Sequence, residues 1–286
     1  MTKKNKNENV FDGLEPKKTE KPQTQLIEID QSLPAGIDQK KLDLMLKEDL
    51  QRSMQNIVPE LPLIKILPAA ACIFEFPGSE EGESSYTTKT FMGVIIDDQK
   101  CNAYWEKSIK ESGGKKVPPD CSSLDAKQGS RQREIMGDKE VFGDCATCYY
   151  NQYKTGRDDK GNQTEGKACQ NRWRLHIYVD GFIFPCRLTI SPTGLKATNK
   201  FINTLISRGI APISRFVEFS LIPAQSSSGY EISLIQFKPL EKIPSSLYFQ
   251  LQKIIKDYLP QIRGQEVLAG ELENGSTNFN TGELEK

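Results

Sequence analysis

Arg172 to Ile190, RWRLHIYVDGFIFPCRLTI, is the stretch on which the fold turns. Two runs rich in β-branched and aromatic residues flank Asp180-Gly181, the pair that most readily supplies the positive φ angles of a tight hairpin. The stretch therefore predicts two antiparallel strands joined at Asp180-Gly181. Strand alternation puts Arg172 and Arg174 on one face and Trp173, Leu175 and Ile177 on the other. Trp173 is expected in a core, which would leave the arginine face free.

Downstream, Ser191-Pro192 reads as the N-cap and first residue of a helix running to Arg208, with Gly209 at the C′ position. Leu195, Ile202, Leu205 and Ile206 are its expected buried stripe. SRFVEFSLIP and YEISLIQFKP alternate as two more strands, and an amphipathic helix follows over Ser245 to Tyr258. Upstream, LPLIKIL, ACIFEF and TFMGVIID read as strands, and Asp97-Asp98 is expected at a strand end. Leu42, Met45, Leu46, Leu50, Met54 and Ile57 are spaced as on a helix. Residues 1–30 and 264–286 are expected to be disordered, the second with five glutamates against one lysine. Between them, 31–260 reads as a single domain: mainly β in an α+β chain, a barrel or sandwich of about seven strands with one inserted helix and flanking helices. The segment 106–170 has few apolar runs and reads as a long loop that needs its own staple.

The chain has 286 residues, with 38 basic and 38 acidic side chains and one histidine, His176. Neutrality excludes a globally basic nucleic-acid binder, though not a local basic surface. A single histidine excludes His-rich metal centres and HExxH proteases. The charged start, MTKKNKNENVFDGLEPKKTEKPQTQ, precedes no signal-length apolar run, and Leu61 to Phe76 is interrupted by Pro62, Lys65 and Pro68. A soluble, cytoplasmic protein without a membrane span is expected.

Four cysteines fall in the long loop: Cys121, Cys145, Cys148 and Cys169, spaced C-x23-C-x2-C-x20-C. A CxxC pair grips one zinc from a tight turn, and two further thiolates complete a tetrahedron. One structural zinc is expected to substitute for the core that the loop lacks. The alternatives are a redox pair and four unrelated cysteines. Tyr149, Tyr150 and polar residues follow the CxxC, so the strand-to-helix setting of a thioredoxin-type site is missing. Cys72, Cys101 and Cys186 sit in apolar contexts as core thiols. His176 reads as a surface or hydrogen-bonded imidazole. GNQTEGKA, 161–168, imitates a phosphate-binding loop, but Ala168 lacks the metal-binding hydroxyl and a strand follows it.

Lys167 to Phe216 holds eight basic residues and one acid, Asp180. Cations interleaved with Trp173, Tyr178, Phe182 and Phe184 suit a single strand of nucleic acid, where charges track phosphates and rings stack on bases. The candidate contacts are Arg172, Arg174, Arg187, Lys196, Lys200 and Arg215. The bland alternative is a solvated arginine face over an aromatic core.

GVIIDDQKCNAYWEKS, PPDCSSLDAKQG, GDCATCYYNQY, GKACQNRWRLHIYVDGFIFP and SPTGLKATNKFINTLISRG together resemble zinc-containing single-stranded DNA-binding proteins of phages and mobile elements. The resemblance spans Gly93 to Leu240. It implies an oligonucleotide-binding (OB) barrel with the zinc-stapled segment inserted, and Cys121, Cys145, Cys148 and Cys169 as the ligands. Gln170 stands where that pattern has a base, and Tyr153 where tryptophan is common. The function implied is non-enzymatic coating of single-stranded DNA, or RNA, in replication or recombination, with the acidic tail as a contact for partner proteins. The alternatives are a zinc-stabilised protein-interaction subunit and, third, a nuclease.

Overall fold

A computed structural model describes residues 45, 48–49, 52, 60–67, 71–78, 84–106, 118–131, 141–157, 161–225 and 231–265. The chain divides into two units, Met1–Asn56 and Ile57–Lys286. In the first, Met45, Glu48, Asp49 and Arg52 are helical, within the stretch whose apolar spacing predicts a helix. The rest of that helix, the 1–30 tail and all but the first two residues of 264–286 lie outside the described residues.

The second unit is built on an eleven-stranded mixed sheet. Its strands are β1 (Leu63–Ile66), β2 (Phe74–Phe76), β3 (Tyr86–Thr88), β4 (Thr90–Tyr104), β5 (Cys121–Ser123), β6 (Gln128–Arg131) and β7 (Val141–Asp144). They continue as β8 (Gln170–Tyr178), β9 (Cys186–Ile190), β10 (Arg215–Gln225) and β11 (Glu231–Lys242). Two helices accompany them, α1 (Leu195–Ser207) and α2 (Ser245–Arg263). The path runs β3-β2-β1-β9-β8-β4-β5-β6-β7, with β10 joined to β4 and β11 to β10. All pairs are antiparallel except β1 with β9, and no pairing closes the path among the described residues. The class is mainly β with few helices, as the alternating segments predict, with more strands than expected.

Strand β4 organises the sheet. Thr90 to Gly93 pair with β10, Val94 to Ala103 pair with β8, and Asn102 to Tyr104 pair with β5. Its register slips between Ile95 and Asp97. An extra residue reverses the alternation that follows it. Ile95 faces the main core while Val94 and Ile96 face α2. Beyond the slip Asp97 stands opposite His176, and Asp98 turns to the Trp173 side. Asp97-Asp98 therefore lies mid-strand and not at a strand end.

The main core joins Ile64, Phe74, Leu175, Ile177, Leu188 and Phe219, all fully buried. Each such side chain stabilises the fold by roughly 1.5–3 kcal/mol relative to exposure. Trp173 belongs to this core, as expected, and its Nε1–H donates to Asp98 at 2.8 Å. Cys101 and Cys186 are buried; Cys72 is half-buried, at a φ of 53°. A smaller cluster sets Val94 and Ile96 against Leu251, Leu247 and Ile254 of α2.

Three expectations need correction. The β8–β9 connection is longer than a two-residue hairpin, with Ile177 opposite Cys186. Gly181 has φ 89° but Asp180 does not share it, and Phe182 N–H closes the turn on Val179 O at 3.2 Å. A positive φ at the third position alone defines a type II turn. Phe182 stacks on Phe76 and Pro185 lacks an N–H, so neither extends the ladder. In α1, Thr198 joins Ile202 and Leu205 as the buried stripe because its hydroxyl is satisfied by Gly194 O at 3.0 Å, while Ile206 is exposed. Gly209 does take the C′ position, at φ 67°. Lastly, the segment 106–170 is not all loop, since β5, β6 and β7 extend the main sheet from β4.

Candidate metal centre and nucleic-acid interface

The extension carries the four cysteines. Cys121 opens β5, and Cys145 follows β7 with its N–H on Lys127 O at 2.7 Å. Asp144 shapes the CxxC turn: its side chain accepts from Ala146 N–H at 2.9 Å and its carbonyl from Cys148 N–H at 3.1 Å. Asn151 Nδ2 donates to Cys145 O at 2.7 Å and Gln152 Nε2 to Ala146 O at 2.8 Å. Cys169 is brought up by its own N–H, which donates to Tyr150 O at 2.7 Å.

These backbone contacts bring Cys169 beside the turn that carries Cys145 and Cys148. Burial raises the Cys169 thiol well above its usual range, and charge on nearby Cys121, Cys145 and Cys148 adds to that. All four are free of disulfides. Among the described residues no three ligand-type side chains already form an ion-holding group. The donor chemistry fits zinc, since four cysteine sulfurs are the ligand set of a structural site and a cation is what would draw off their protons.

The arginine face differs from expectation. Arg172, Arg174 and Arg187 are 2%, 0% and 1% exposed. They do not form a solvent-facing cationic strip, because Gln265, just past α2, lies on Arg174 and Arg187, and Gln170 and Trp105 engage Arg172. Arg174 Nη1 donates to Gln265 O at 2.7 Å and Arg187 Nη1 to Gln265 Oε1 at 3.2 Å. Arg172 donates to Gln170 Oε1 at 2.6 Å and lies over the Trp105 ring at 5.4 Å. Gln170, where a base was expected, thus serves as an acceptor.

His176 is also buried, and not on the surface; its Nδ1 lies 3.2 Å from Asp97 Oδ2. Arg263 grips the same carboxylate, its Nε 3.0 Å from Oδ2 and its Nη2 on Oδ1. Burial opposes ionisation of Asp97, but bonds from His176 and Arg263 outweigh it and hold the carboxyl below its usual range. Burial holds His176 below its usual range against the pull of Asp97, with Arg174 and Arg187 adding to the depression. A neutral imidazole beside a carboxylate carries its proton on Nδ1.

The other candidate cations divide. Lys196 and Lys200 are exposed on α1, whose sequence contains no acid, and exposed Arg208 caps it. Arg215 is half-buried and donates to Leu240 O at 3.3 Å. The phosphate-loop mimic at 161–168 has no helix behind it. Sequence reasoning passed over an open cleft of about 600 Å³ between β4 and β5–β6, with Lys100, Lys127 and Arg263 among its walls. It also passed over the exposed tyrosines around the cysteines.

No protein-family model, curated protein or solved structure matches this chain. No helix among the described residues is long and apolar enough to cross a membrane.

Proposed function

We propose that this chain is a non-enzymatic single-stranded DNA-binding protein of a phage or mobile element, acting in replication or recombination, with one structural zinc on Cys121, Cys145, Cys148 and Cys169. The observation that carries the nucleic-acid reading is the exposed lysine face of α1, a helix with no acid in its own sequence, with Lys196 and Lys200 four residues apart and Arg208 at its end. That spacing puts both lysines on one side of the helix, as tracking a phosphate backbone requires. The OB barrel is part of the same proposal. Its support is β4, one long bulged strand serving β10, β8 and β5, as strands that turn the corner of a small barrel do. The non-enzymatic reading is supported by the engagement of Asp97 with Arg263 and of Asp98 with Trp173. Both carboxylates are structural partners here.

Burial of Arg172, Arg174 and Arg187 favours a second reading, a zinc-stapled protein-interaction subunit whose acidic tail contacts other replication proteins. Anisotropy of a labelled mixed-sequence single strand, titrated with the full chain across salt, separates the two. Single-strand binding should weaken linearly with log salt, by about 0.7 in slope per phosphate neutralised. Lys196→Ala with Lys200→Ala should shallow that slope by up to about 1.4. Wild-type protein that binds no single strand at low salt would leave the second reading standing.

A further inference from the structure

Three tyrosines crowd the cysteine turn and face water: Tyr149 is 68%, Tyr150 38% and Tyr153 45% exposed. Tyr150 stacks on Tyr104 at the end of β4, with centroids 4.2 Å apart and planes at 21°. Tyr149 meets Tyr150 edge-on at 5.4 Å. Lys167 Nζ lies 4.8 Å from the centre of the Tyr153 ring. Lys154, beside it, is an exposed cation paired with Glu165 at 3.6 Å across solvent. Lys127, whose carbonyl holds Cys145, also lines the adjoining cleft with Lys100.

The rings are held in place from behind. Thr155 Oγ1 donates to Gln152 O at 2.7 Å, with Tyr150 O also in reach at 3.2 Å, and accepts from Ala168 N–H at 3.0 Å. The residues between the rings are Asn151 and Gln152, and Ala146 and Thr147 precede them in the turn. An apolar partner helix needs aliphatic neighbours around aromatic anchors, and this patch offers amides, hydroxyls and ammonium groups instead. Flat π faces, amide edges and cations within one turn are what unstacked bases and their phosphates recognise.

We propose that Tyr149, Tyr150 and Tyr153 form a base-stacking platform for a single strand of nucleic acid, with Lys154 and Lys167 on its phosphates and the cysteine centre as its mount. This rests on the single-strand reading above and adds a contact separate from α1. Stacking adds affinity without releasing counterions, so the two contacts have different signatures in salt.

The test compares Tyr149→Ala with Tyr153→Ala, Tyr149→Phe with Tyr153→Phe, and wild-type full chain on a labelled oligothymidylate. The alanine pair should bind about fivefold weaker or more for each lost stack, with an unchanged salt slope. The phenylalanine pair, which keeps its rings, should bind as wild type. Ultraviolet crosslinking of bromouracil-substituted strand to unmodified protein supplies a readout that needs no variant, and should label the 149–153 peptide. Wild-type binding with equal affinity in the alanine pair, or crosslinks confined to α1, would overturn the platform alone. A wild-type chain that binds no strand would instead defeat the single-strand reading beneath it. Capture of a peptide partner in place of DNA, lost in the alanine pair, would also overturn the proposal.

Discussion

Arg263, the last residue of α2, closes its guanidinium on Asp97 in the middle of β4, 166 residues earlier in the chain. Asp97 in turn orients His176, so one carboxylate joins helix, long strand and β8. Around it lie Arg174 and Arg187, which Gln265 caps. A polar layer of this kind is sensitive to every proton and charge placed in it.

Acid should weaken the fold in two stages. Buried His176 has its value held below the ordinary 6.5, so below that pH the unfolded chain takes up a proton that the native one refuses. Stability should therefore begin to fall as pH drops through about 6.5. Asp97 is held below its ordinary 3.8, so its contribution is full above that value and is lost as pH falls further. Urea midpoints measured against pH should show both stages, and His176→Gln should remove the first and shrink the second, since His176 helps hold Asp97 ionised. Asp97→Asn should cost about 1.5–3 kcal/mol at neutral pH, the range for hydrogen bonds to charged groups.

Arg172→Ala with Arg174→Ala should act on stability and not on binding. Both arginines are buried and bonded to Gln170 Oε1 and Gln265 O, so truncation removes hydrogen bonds to charged groups worth about 1.5–3 kcal/mol each. The expected result is a lowered melting temperature with no change in the salt slope of single-strand binding. A folded double variant with a shallower slope would restore these arginines as phosphate contacts.

Metal removal should be felt locally. Purified protein should contain about one zinc per chain, lost in Cys148→Ser. Hydrogen exchange after chelation should accelerate in β5, β6 and β7 and leave β8 and β9 protected, since the latter stand on the main core. Native protein without zinc would remove the staple.

Gly93→Ala tests the crossing of β4 and β8. A Cβ there would sit 2.5 Å from Ile177 Cγ2 and 2.8 Å from Tyr178 O, and backbone cannot step aside cheaply. A loss of about 1–3 kcal/mol is expected in chemical denaturation, as for other overpacked core sites.

The strands, the body of α1 with its Gly209 terminator and the place of Trp173 were readable because period and capping are local properties; the start of α1 was not, since Ser191-Pro192 opens a separate 3-10 turn and the helix begins at Leu195. Nor was the fate of the arginines. Alternation correctly separates Arg172 and Arg174 from Trp173, but it says only that they face away from one layer. Arg174 is covered by Gln265, beyond the end of a helix expected to stop at Tyr258, and Arg172 by Gln170 and the Trp105 ring. The slip after Ile95 is equally silent in the sequence, because no glycine or proline marks it, and it alone brings Asp97 to the His176 side. The cysteine spacing was legible as a ligand set. The tyrosines beside it speak, in the sequence, only against redox chemistry, since exposure cannot be read from a polar loop.

The clamp of Arg263 on Asp97 also sets a timetable for the nascent chain. Synthesis at about 5–20 residues per second delivers Asp97 roughly ten to thirty seconds before the helix that seals it, given their separation of 166 residues. During that interval β4, β8 and β9 can pair, yet their guanidinium groups have no Gln265 to receive them and must stay hydrated. The sheet can therefore reach its native burial only after Arg263 and Gln265 have been made. A stop codon placed ahead of α2 would release a chain holding its charges open to water, and to any polyanion within reach.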